Sequence, residues 1–209
     1  TDADSDDITL SISGSEININ SSTGVLTFAS APDYETKSSY TATVSVSDGG
    51  NSVNQNITVN INNLNDSSPT FTSSATFTAD ENQTAIGTVT ATDADDDSLT
   101  YSISGSEITI NSSTGVMTFV SAPDYETKSS YTATVSVSDG TNTSTQNITV
   151  DINNLNDNTP NISSSSSFSV DENQTAIGTV TATDADSDDI TFSISGSEIN
   201  INSSTGVLT

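Results

Sequence analysis

The sequence predicts an all-β fold of tandem seven-stranded Greek-key β-sandwich repeats. Three observations support this prediction: a long sequence period, short segments in which apolar and polar residues alternate, and turn residues between those segments. Acidic near-copies begin at Thr1, Thr92 and Thr183, and the step between them is 91 residues both times. Because this period exceeds the roughly 20–50 residues of solenoids and propellers, it indicates separately folded domains in a row.

The period divides the chain into one complete repeat and two partial ones. Residues 69–159 form the complete repeat, residues 1–68 a repeat truncated on its N-terminal side, and residues 160–209 a repeat truncated on its C-terminal side. Since the sequence opens and closes inside a repeat, we expect it to belong to a longer array.

Alternating apolar residues predict about seven strands in the complete repeat. These segments are rich in Thr, Val and Ile, which suit a pleated and half-buried surface. Turns such as Ser104-Gly105 and Asp139-Gly140 separate them, and no segment carries apolar residues at helical spacing. Short strands with one apolar face predict an antiparallel sandwich. The apolar positions are Phe71 and Phe77; Val89 and Ala91; Leu99, Tyr101 and Ile103; Ile108 and Ile110; Met117 and Phe119; Tyr131, Ala133, Val135 and Val137; and Ile148, Val150 and Ile152.

The charge of the chain excludes several classes of function. Asp and Glu number 28 against 2 Lys and Arg, so the net charge is −26. Nucleic acid and anionic membranes are excluded as partners, because phosphate would repel such a surface. The absence of Cys and His excludes disulfide, thiolate and imidazole chemistry. The regular apolar pattern argues against disorder, so we expect bound cations to compensate the charge, and we expect Lys37 and Lys128 to stay solvated in their loops.

Acidic residues of the complete repeat follow strand ends rather than strand faces. In a Greek-key sandwich the loops after the first and fifth strands share one pole with the exit segment, because successive strands alternate in direction. This pole would face the acidic loop that opens the next repeat, at Asp184 and Asp186. The residues that this reasoning places at the pole are Glu81, Asp124, Glu126, Asn156 and Asp157.

Carboxylates gathered in this way repel one another by several kcal/mol unless a cation compensates them. Ca²⁺ accepts about six to eight oxygen ligands in irregular mixtures, whereas Mg²⁺ requires stricter octahedral geometry, so we expect Ca²⁺. Two other interpretations remain open: the acidic residues are solvated turn residues, or Asp124 and Glu126 are a glycoside-hydrolysing pair. This carboxylate pair recurs in every repeat and has no aromatic platform beside it, which disfavours catalysis. We therefore expect no enzymatic activity.

Four groups of residues, in this order, resemble the motifs of a cadherin repeat. The first is Asp80-Glu81-Asn82 with the segment 87–95, and the second is Ser113-Thr114-Gly115-Val116. The others are the segment 123–140 and the exit segment 156–160. The resemblance implies seven-stranded, Ig-like sandwiches with three Ca²⁺ ions at each junction between successive domains.

The resemblance also implies a set of calcium ligands at each junction. The second junction would use Glu81, Asp124, Glu126, Asn156, Asp157 and Asn158, the last through its carbonyl, with Asp184 and Asp186. The first would use Asp33, Glu35, Asn65 and Asp66 with Asp93, Asp95 and Asp139. Asp2, Asp4 and Asp48 would serve a junction before Thr1.

The chain departs from the family pattern in its linkers. Asn63 and Asn154 stand where the family linker begins with Asp, and Ser67 stands where the second linker has Asn158. We expect the smaller negative charge to weaken at least one ion per junction. The chain has no Trp, so the strand-swapped adhesion of some vertebrate members, which uses a Trp anchor, is not transferred to it.

The function expected from this pattern is structural and adhesive. Calcium-binding repeats would stiffen a large extracellular or cell-surface protein of a bacterial type, and they would support cell adhesion, homophilic contact included. The partners expected are Ca²⁺, neighbouring repeats of the same chain, and like molecules or cell-surface glycans. The alternatives are a carbohydrate-binding module and a calcium-independent Ig-like spacer of an exported protein.

Overall fold

The computed structural model describes residues 7–209, which form β-strands joined by turns. Asp2 and Asp4, assigned above to an upstream junction, lie outside the described residues. Within this range no helix forms, and so none has the length and apolar character needed to cross a membrane. The all-β prediction is confirmed.

The described residues fall into two compact units. The first contains the chain up to Thr70 together with Ala91–Thr100 and Val137–Ser144. The second contains Phe71–Thr90, Tyr101–Ser136 and Thr145–Thr209. These units follow spatial contacts, whereas the repeat boundaries at residues 68 and 159 follow the sequence period and stay a prediction.

Five strands lie between residues 7 and 69. They are β1 (Thr9–Ile12), β2 (Ile17–Ile19), β3 (Leu26–Phe28), β4 (Ser39–Ser47) and β5 (Ser52–Asn60). The sheet β1-β4-β5 and the hairpin β2-β3 are antiparallel throughout. In the turn between β4 and β5, Oδ1 of Asp48 accepts hydrogen bonds from the backbone N–H groups of Gly50 and Asn51, at 2.8 and 2.5 Å.

Nine strands lie in the complete repeat. They are β6 (Thr70–Phe71), β7 (Thr76–Asp80), β8 (Ala85–Thr88), β9 (Ala91–Thr92), β10 (Thr100–Ile103), β11 (Ile108–Ile110), β12 (Val116–Phe119), β13 (Ser130–Ser138) and β14 (Thr143–Asn153). A four-stranded sheet has the order β10-β13-β14-β7, and a three-stranded sheet has the order β11-β12-β8. Strand β7 runs parallel to β14, so the expectation of a wholly antiparallel sandwich is wrong for this pair.

The first two predicted strands of the complete repeat are each broken in two. Thr72 and Ser73 interrupt the first, and their N–H groups both donate to the carbonyl of Thr90, at 2.8 and 3.2 Å. Val89 interrupts the second, and its N–H donates to the carbonyl of Gly115 at 2.9 Å. These long-range bonds, rather than local sequence, set the breaks.

Gly115 is required where this second break meets the turn 111–115. Its φ is +70°, and a Cβ atom added there would lie 2.1 Å from the carbonyl oxygen of Val89. The turn before it is closed by Asn111, whose Oδ1 accepts hydrogen bonds from the N–H groups of Ser113 and Thr114, both at 3.0 Å. Any side chain at position 115 would therefore force the backbone apart.

The remaining strands are short. They are β15 (Asn161–Ile162), β16 (Gly178–Thr179), β17 (Ala182–Thr183) and β18 (Val207–Leu208), paired as β15-β17 and β16-β18.

Of the eighteen predicted apolar positions of the complete repeat, ten are buried in its core and the other eight are half-buried. The most deeply buried are Val89, Met117, Val135, Val137, Ile148 and Val150. By contrast, Leu26 in the first partial repeat, which occupies the position of Met117, is 41% exposed. Strand β12 pairs with both β11 and β8, whereas β3 pairs within the described chain with β2 alone, so less of its surface is covered.

The two lysines pair with glutamates, which corrects the expectation that they stay solvated. Nζ of Lys128 lies 2.6 Å from a carboxylate oxygen of Glu107 and 4.2 Å from the ring centre of Tyr131. Lys37 makes the same contacts with Glu16 and Tyr40, at 2.6 and 4.4 Å. Both cations are thereby held in the loops that precede β4 and β13.

Candidate metal centre

Among the described residues, carboxylates gather in two places, which we name after the buried aspartates Asp95 and Asp186. The Asp95 cluster consists of Glu35, Asp66, Asp93, Asp95 and Asp97 with the linker 63–67, and lies within the first unit. Asp139 adjoins it through a hydrogen bond from the linker residue Asn65 to the carbonyl of Asp139, at 3.3 Å. The Asp186 cluster consists of Glu81, Asp124, Glu126, Asp157, Asp184, Asp186 and Asp188 with the linker 154–158, and lies within the second unit.

Asp95 is held by its own loop and by the linker. The loop begins with Asp93, whose Oδ1 accepts a hydrogen bond from the N–H of Asp95 at 2.9 Å. Oδ2 of Asp95 accepts hydrogen bonds from the linker N–H groups of Asp66 and Ser67, at 3.0 and 2.8 Å. Nδ2 of Asn63 donates to the carbonyl of Asp95 at 2.9 Å. The carboxylate is thus only 5% exposed.

Two groups of carboxylate oxygens converge on Asp95. One oxygen each from Glu35, Asp66 and Asp95 lie within 4.8 Å of one another, and the same holds for Asp93, Asp95 and Asp97. A backbone hydrogen bond lowers the pKa of Glu35, but partial desolvation and the carboxylates nearby, Asp95 included, outweigh it and leave the pKa raised. The charges at this point are therefore under-compensated.

Asp97 belongs to this cluster, although sequence reasoning did not select it. Partial desolvation raises the pKa of Asp97, and the charges of Asp93, Asp95 and Asp139 add to the rise, while a hydrogen bond from Asn65 opposes it. The alternating spacing of Asp93, Asp95 and Asp97 was the signal that could have identified it.

Asp139 meets the linker through amide side chains. Nδ2 of Asn142 donates to Oδ1 of Asn65 at 3.1 Å, to the carbonyl of Ser67 at 2.8 Å, and to Oδ2 of Asp139 at 3.3 Å. Burial raises the pKa of Asp139, but hydrogen bonds from the N–H groups of Asn142 and Thr141 more than offset this and lower it. Sequence reasoning missed Asn142, whose signal is its place three residues after Asp139 in a glycine-containing turn.

Asp186 repeats the arrangement of Asp95. Its N–H donates to Oδ1 of Asp184 at 3.0 Å, and its Oδ2 accepts from the N–H groups of Asp157 and Asn158, at 3.1 and 2.8 Å. Nδ2 of Asn154 donates to the carbonyl of Asp186 at 2.9 Å. Asp186 is likewise 5% exposed.

Glu81 joins the end of β7 to the linker and to the 124–126 loop. It is 2% exposed, and its carboxylate accepts hydrogen bonds from the N–H groups of Leu155 at 2.7 Å and Tyr125 at 2.8 Å. Oxygens of Glu81, Asp124 and Glu126 lie within 4.8 Å of one another. Since β7 and β14 are parallel, Asp80 pairs with Asn153, and this pairing places Glu81 beside the linker.

Side-chain amides enter the Asp186 cluster. Nδ2 of Asn158 lies 2.9 Å from Oδ1 of both Asp157 and Asp186, and 3.2 Å from Oε2 of Glu126. Nδ2 of Asn82 donates to the other oxygen of Asp157. Sequence reasoning expected the carbonyl of Asn158 to act and did not select Asn82, whose signal is its position directly after Asp80-Glu81.

Desolvation and like charge oppose these hydrogen bonds at the Asp186 cluster. Partial desolvation raises the pKa of Glu126, and Glu81 and Asp186 raise it further. The side-chain amide of Asn158 is the largest cause of the lowered pKa of Asp186. Asn158 therefore compensates part of the negative charge.

Two residues assigned as ligands have other surroundings. Asp33 closes its own loop, where its Oδ1 accepts the N–H of Glu35 at 3.1 Å and its Oδ2 accepts the hydroxyl of Thr36 at 3.0 Å. The side-chain bond to Thr36 is the largest cause of its lowered pKa. Asn156 is exposed. Their roles as ligands stay predictions.

The donors fit a hard divalent cation. The grouped side-chain atoms are carboxylate oxygens, which are ligands that Ca²⁺ takes. Within the described chain, Oδ1 of Asp95 and Oδ2 of Asp93 are buried and have no hydrogen-bond partner. Buried polar atoms are normally paired, so these two oxygens are free to accept a further donor or a cation.

Comparison with known proteins relates the chain to one family. Residues 74–153 match the family model described as the Cadherin domain. The fold is similar to that of mouse Cadherin-23 EC22-24, with 26% identity and a TM-score of 0.73 over 97% of this chain and 74% of that one. Human CDH23 EC21-23 is 25% identical, with a TM-score of 0.76 over 97% of this chain and 78% of that one.

A further structure shows the same fold at lower identity. It is described as Protocadherin Gamma B2 extracellular cadherin domains 3-6, and it is 23% identical, with a TM-score of 0.83 over 97% of this chain and 58% of that one. A search of curated protein sequences finds no significant match.

Proposed function

We propose that this chain, whose residues 74–153 match the Cadherin domain model, binds Ca²⁺ at the Asp95 and Asp186 clusters and so stiffens an extracellular adhesive protein. The resemblance to cadherin repeats and the Ig-like sandwich are confirmed by the family match and by the similar structures. Calcium binding, rigidity and adhesion are the proposal.

One observation carries the calcium assignment. Asp95 is 5% exposed and has a buried oxygen for which the described residues offer no hydrogen-bond donor. Oxygens of Glu35 and Asp66 lie within 4.8 Å of a carboxylate oxygen of Asp95. Both lysines of the chain are bound to Glu16 and Glu107 instead. A bound cation would supply the charge that the protein does not, because a buried, unpaired carboxylate is costly.

A role for Ca²⁺ in stiffening follows from where the donors sit. Each cluster combines residues of a linker with residues of an acidic loop that lies about 30 positions further along the chain, as in the bonds from Asp66 and Ser67 to Asp95. An ion held by both segments would stabilise the structure in which they meet, since binding to the folded state raises its stability.

The location and the partners follow by analogy. The similar protocadherin structure is described as extracellular, and we propose an extracellular or cell-surface location for this chain. Its partners would be Ca²⁺, neighbouring repeats, and either like molecules or cell-surface glycans. We expect no enzymatic activity, and the bacterial type of the protein stays a prediction.

Thermal unfolding tests the proposal. We expect Ca²⁺ at about 10⁻⁴–10⁻³ M to raise the melting temperature of the chain above its value in EGTA, and Mg²⁺ at the same concentration to raise it less. Small-angle scattering should show a longer and more uniform particle with Ca²⁺.

A pair of double variants makes the test specific. Asp95→Asn with Asp186→Asn should abolish most of the calcium effect, because both buried carboxylates lose their charge. Asp96→Asn with Asp189→Asn removes the same number of charges from exposed positions and should retain the effect. If millimolar Ca²⁺ changes neither melting nor scattering of the wild type, the chain is a calcium-independent spacer.

A further inference from the structure

We propose that Asp97 is a direct Ca²⁺ ligand, which completes a three-carboxylate site with Asp93 and Asp95 inside a single loop. This inference rests on the proposed calcium function and adds a ligand to it. The loop would then supply three carboxylates to one ion, and the linker would only add to them.

The backbone of the loop directs alternate residues to the same side. Asp95 is buried and Asp97 is half-buried, whereas Asp96 between them is exposed. Asp96 has a φ of +61°, in the left-handed region. This turn brings a carboxylate oxygen of Asp97 within 4.8 Å of oxygens from Asp93 and Asp95.

Buried oxygens without partners show that this grouping is more than a turn rich in acidic residues. Oδ1 of Asp93 and Oδ2 of Asp95 already accept backbone hydrogen bonds. Their second oxygens, Oδ2 of Asp93 and Oδ1 of Asp95, are buried and meet no donor from residues 7–209. Asp93 and Asp95 therefore each have one carboxylate oxygen fixed by a backbone hydrogen bond and one left for a cation. Asp97 contributes the third carboxylate of the site.

The grouping of three carboxylates recurs one period later, although Asp188 is exposed where Asp97 is half-buried. Oxygens of Asp184, Asp186 and Asp188 also lie within 4.8 Å of one another. Ser187, between the second and third of these, has a φ of +64°. The loop geometry is thus kept although the residue at the turn has changed from Asp to Ser, and the carboxylate that follows it is the same.

The experiment compares Asp97→Asn with Asp96→Asn in the 209-residue chain. Both remove one charge from the same loop, and Asn accepts the left-handed conformation at position 96. Calorimetric titration with CaCl₂ should show calcium binding weakened about tenfold or more by Asp97→Asn, since even residues that only orient a metal ligand contribute about 10–100-fold. Asp96→Asn should change the affinity by less than about twofold.

Melting temperatures separate a ligand from a structural residue. In EGTA, Asp97→Asn should melt at or above the wild-type temperature, because it removes repulsion from Asp93 and Asp95, whereas in Ca²⁺ it should melt below the wild type. An equal loss with and without Ca²⁺ would overturn the inference, as would equal calcium affinities for the two variants. If the wild type itself binds no Ca²⁺, the proposed function fails first, and the inference falls with it.

Discussion

The Asp95 and Asp186 clusters share one framework and differ in one linker residue. In both, the fourth and fifth linker residues donate their N–H groups to a buried aspartate, and the first donates its side-chain amide to the carbonyl of that aspartate. The fifth residue is Ser67 in one linker and Asn158 in the other. The backbone bonds are insensitive to this change, but the charge balance is not.

Asn158 places a partly positive N–H₂ group among three carboxylates. Its Nδ2 lies within 3.2 Å of oxygens of Glu126, Asp157 and Asp186. The corresponding oxygens of Glu35, Asp66 and Asp95 lie within 4.8 Å of one another, and Ser67 brings no amide to them. The Asp186 cluster is therefore partly compensated without metal, and an ion that binds between Glu126, Asp157 and Asp186 would have to displace this amide.

Glu81 gives the largest expected effect, and it acts on the Asp186 cluster alone. Glu81→Ala should lower the free energy of unfolding by about 3 kcal/mol, because the part-buried N–H groups of Tyr125 and Leu155 lose their acceptor at about 1–3 kcal/mol each, less the repulsion relieved. Chemical denaturation in EGTA measures this, and Glu81→Gln, which keeps one acceptor oxygen, should lose less. A loss below about 1 kcal/mol for the alanine variant would show that these N–H groups find water instead.

Exchange of the fifth linker residue should reverse which of the two clusters has its charge compensated by an amide in the absence of metal. Asn158→Ser should lower the free energy of unfolding in EGTA by about 1–2 kcal/mol, because hydrogen bonds to charged groups contribute about 1.5–3 kcal/mol and those of Asn158 are partly exposed to solvent. Ser67→Asn should raise stability by a smaller amount, since the new amide must be ordered at an entropic cost. If both variants unfold like the wild type in EGTA, the amide of Asn158 does not compensate its carboxylates.

The same exchange should act on calcium affinity in the opposite direction. Because Asn158→Ser destabilises mainly the metal-free state, it should tighten Ca²⁺ binding by up to about tenfold, the factor that corresponds to 1.4 kcal/mol. Ser67→Asn should weaken binding by a few-fold. Calorimetric titration of the two variants measures this, and a weaker affinity for Asn158→Ser would instead identify its side chain as a ligand.

How far the sequence predicted this molecule depends on which interactions are local. Period-two alternation identified the positions of the core, such as Met117 and Ile148, because a strand with one buried face has apolar residues at every second position. The breaks at Thr72 and Val89, and the parallel pairing of β7 with β14, depend on backbone bonds to distant segments. No local pattern marks them.

The candidate site divides in the same way. The repeat identified the acidic residues, and the structure brings most of them together around Asp95 and Asp186. The sequence repeat did not identify Asn82, Asn142 or the amide role of Asn158, because Asn is common in this chain and occurs in turns as readily as in clusters. Which amide reaches a carboxylate is decided by the fold, as when Asn142 meets a linker that lies more than 70 positions earlier.

Acid should narrow the stability difference between wild type and Asn158→Ser, which is the smallest effect expected. The pKa of Asp186 is lowered from 3.8, first by the Asn158 side chain, so its carboxylate contributes stability that is present above this value and lost as pH falls through the folded pKa. Glu126, whose pKa is raised, and Asp157, Asp184 and Asp188 face the same group. These carboxylates are common to both proteins, so their contributions largely cancel in the comparison.

In Asn158→Ser the pKa of Asp186 should return toward its ordinary value. Protonation of Asp186 at low pH then costs this variant less stability than it costs the wild type. We therefore expect the difference between the two proteins in EGTA to be constant from about pH 7 to about pH 5 and to shrink toward about pH 3. Chemical denaturation of both proteins at each pH measures this. A difference that stays constant to the lowest pH would mean that Asn158 stabilises the linker through its backbone N–H alone, and the two clusters would then differ in sequence but not in electrostatics.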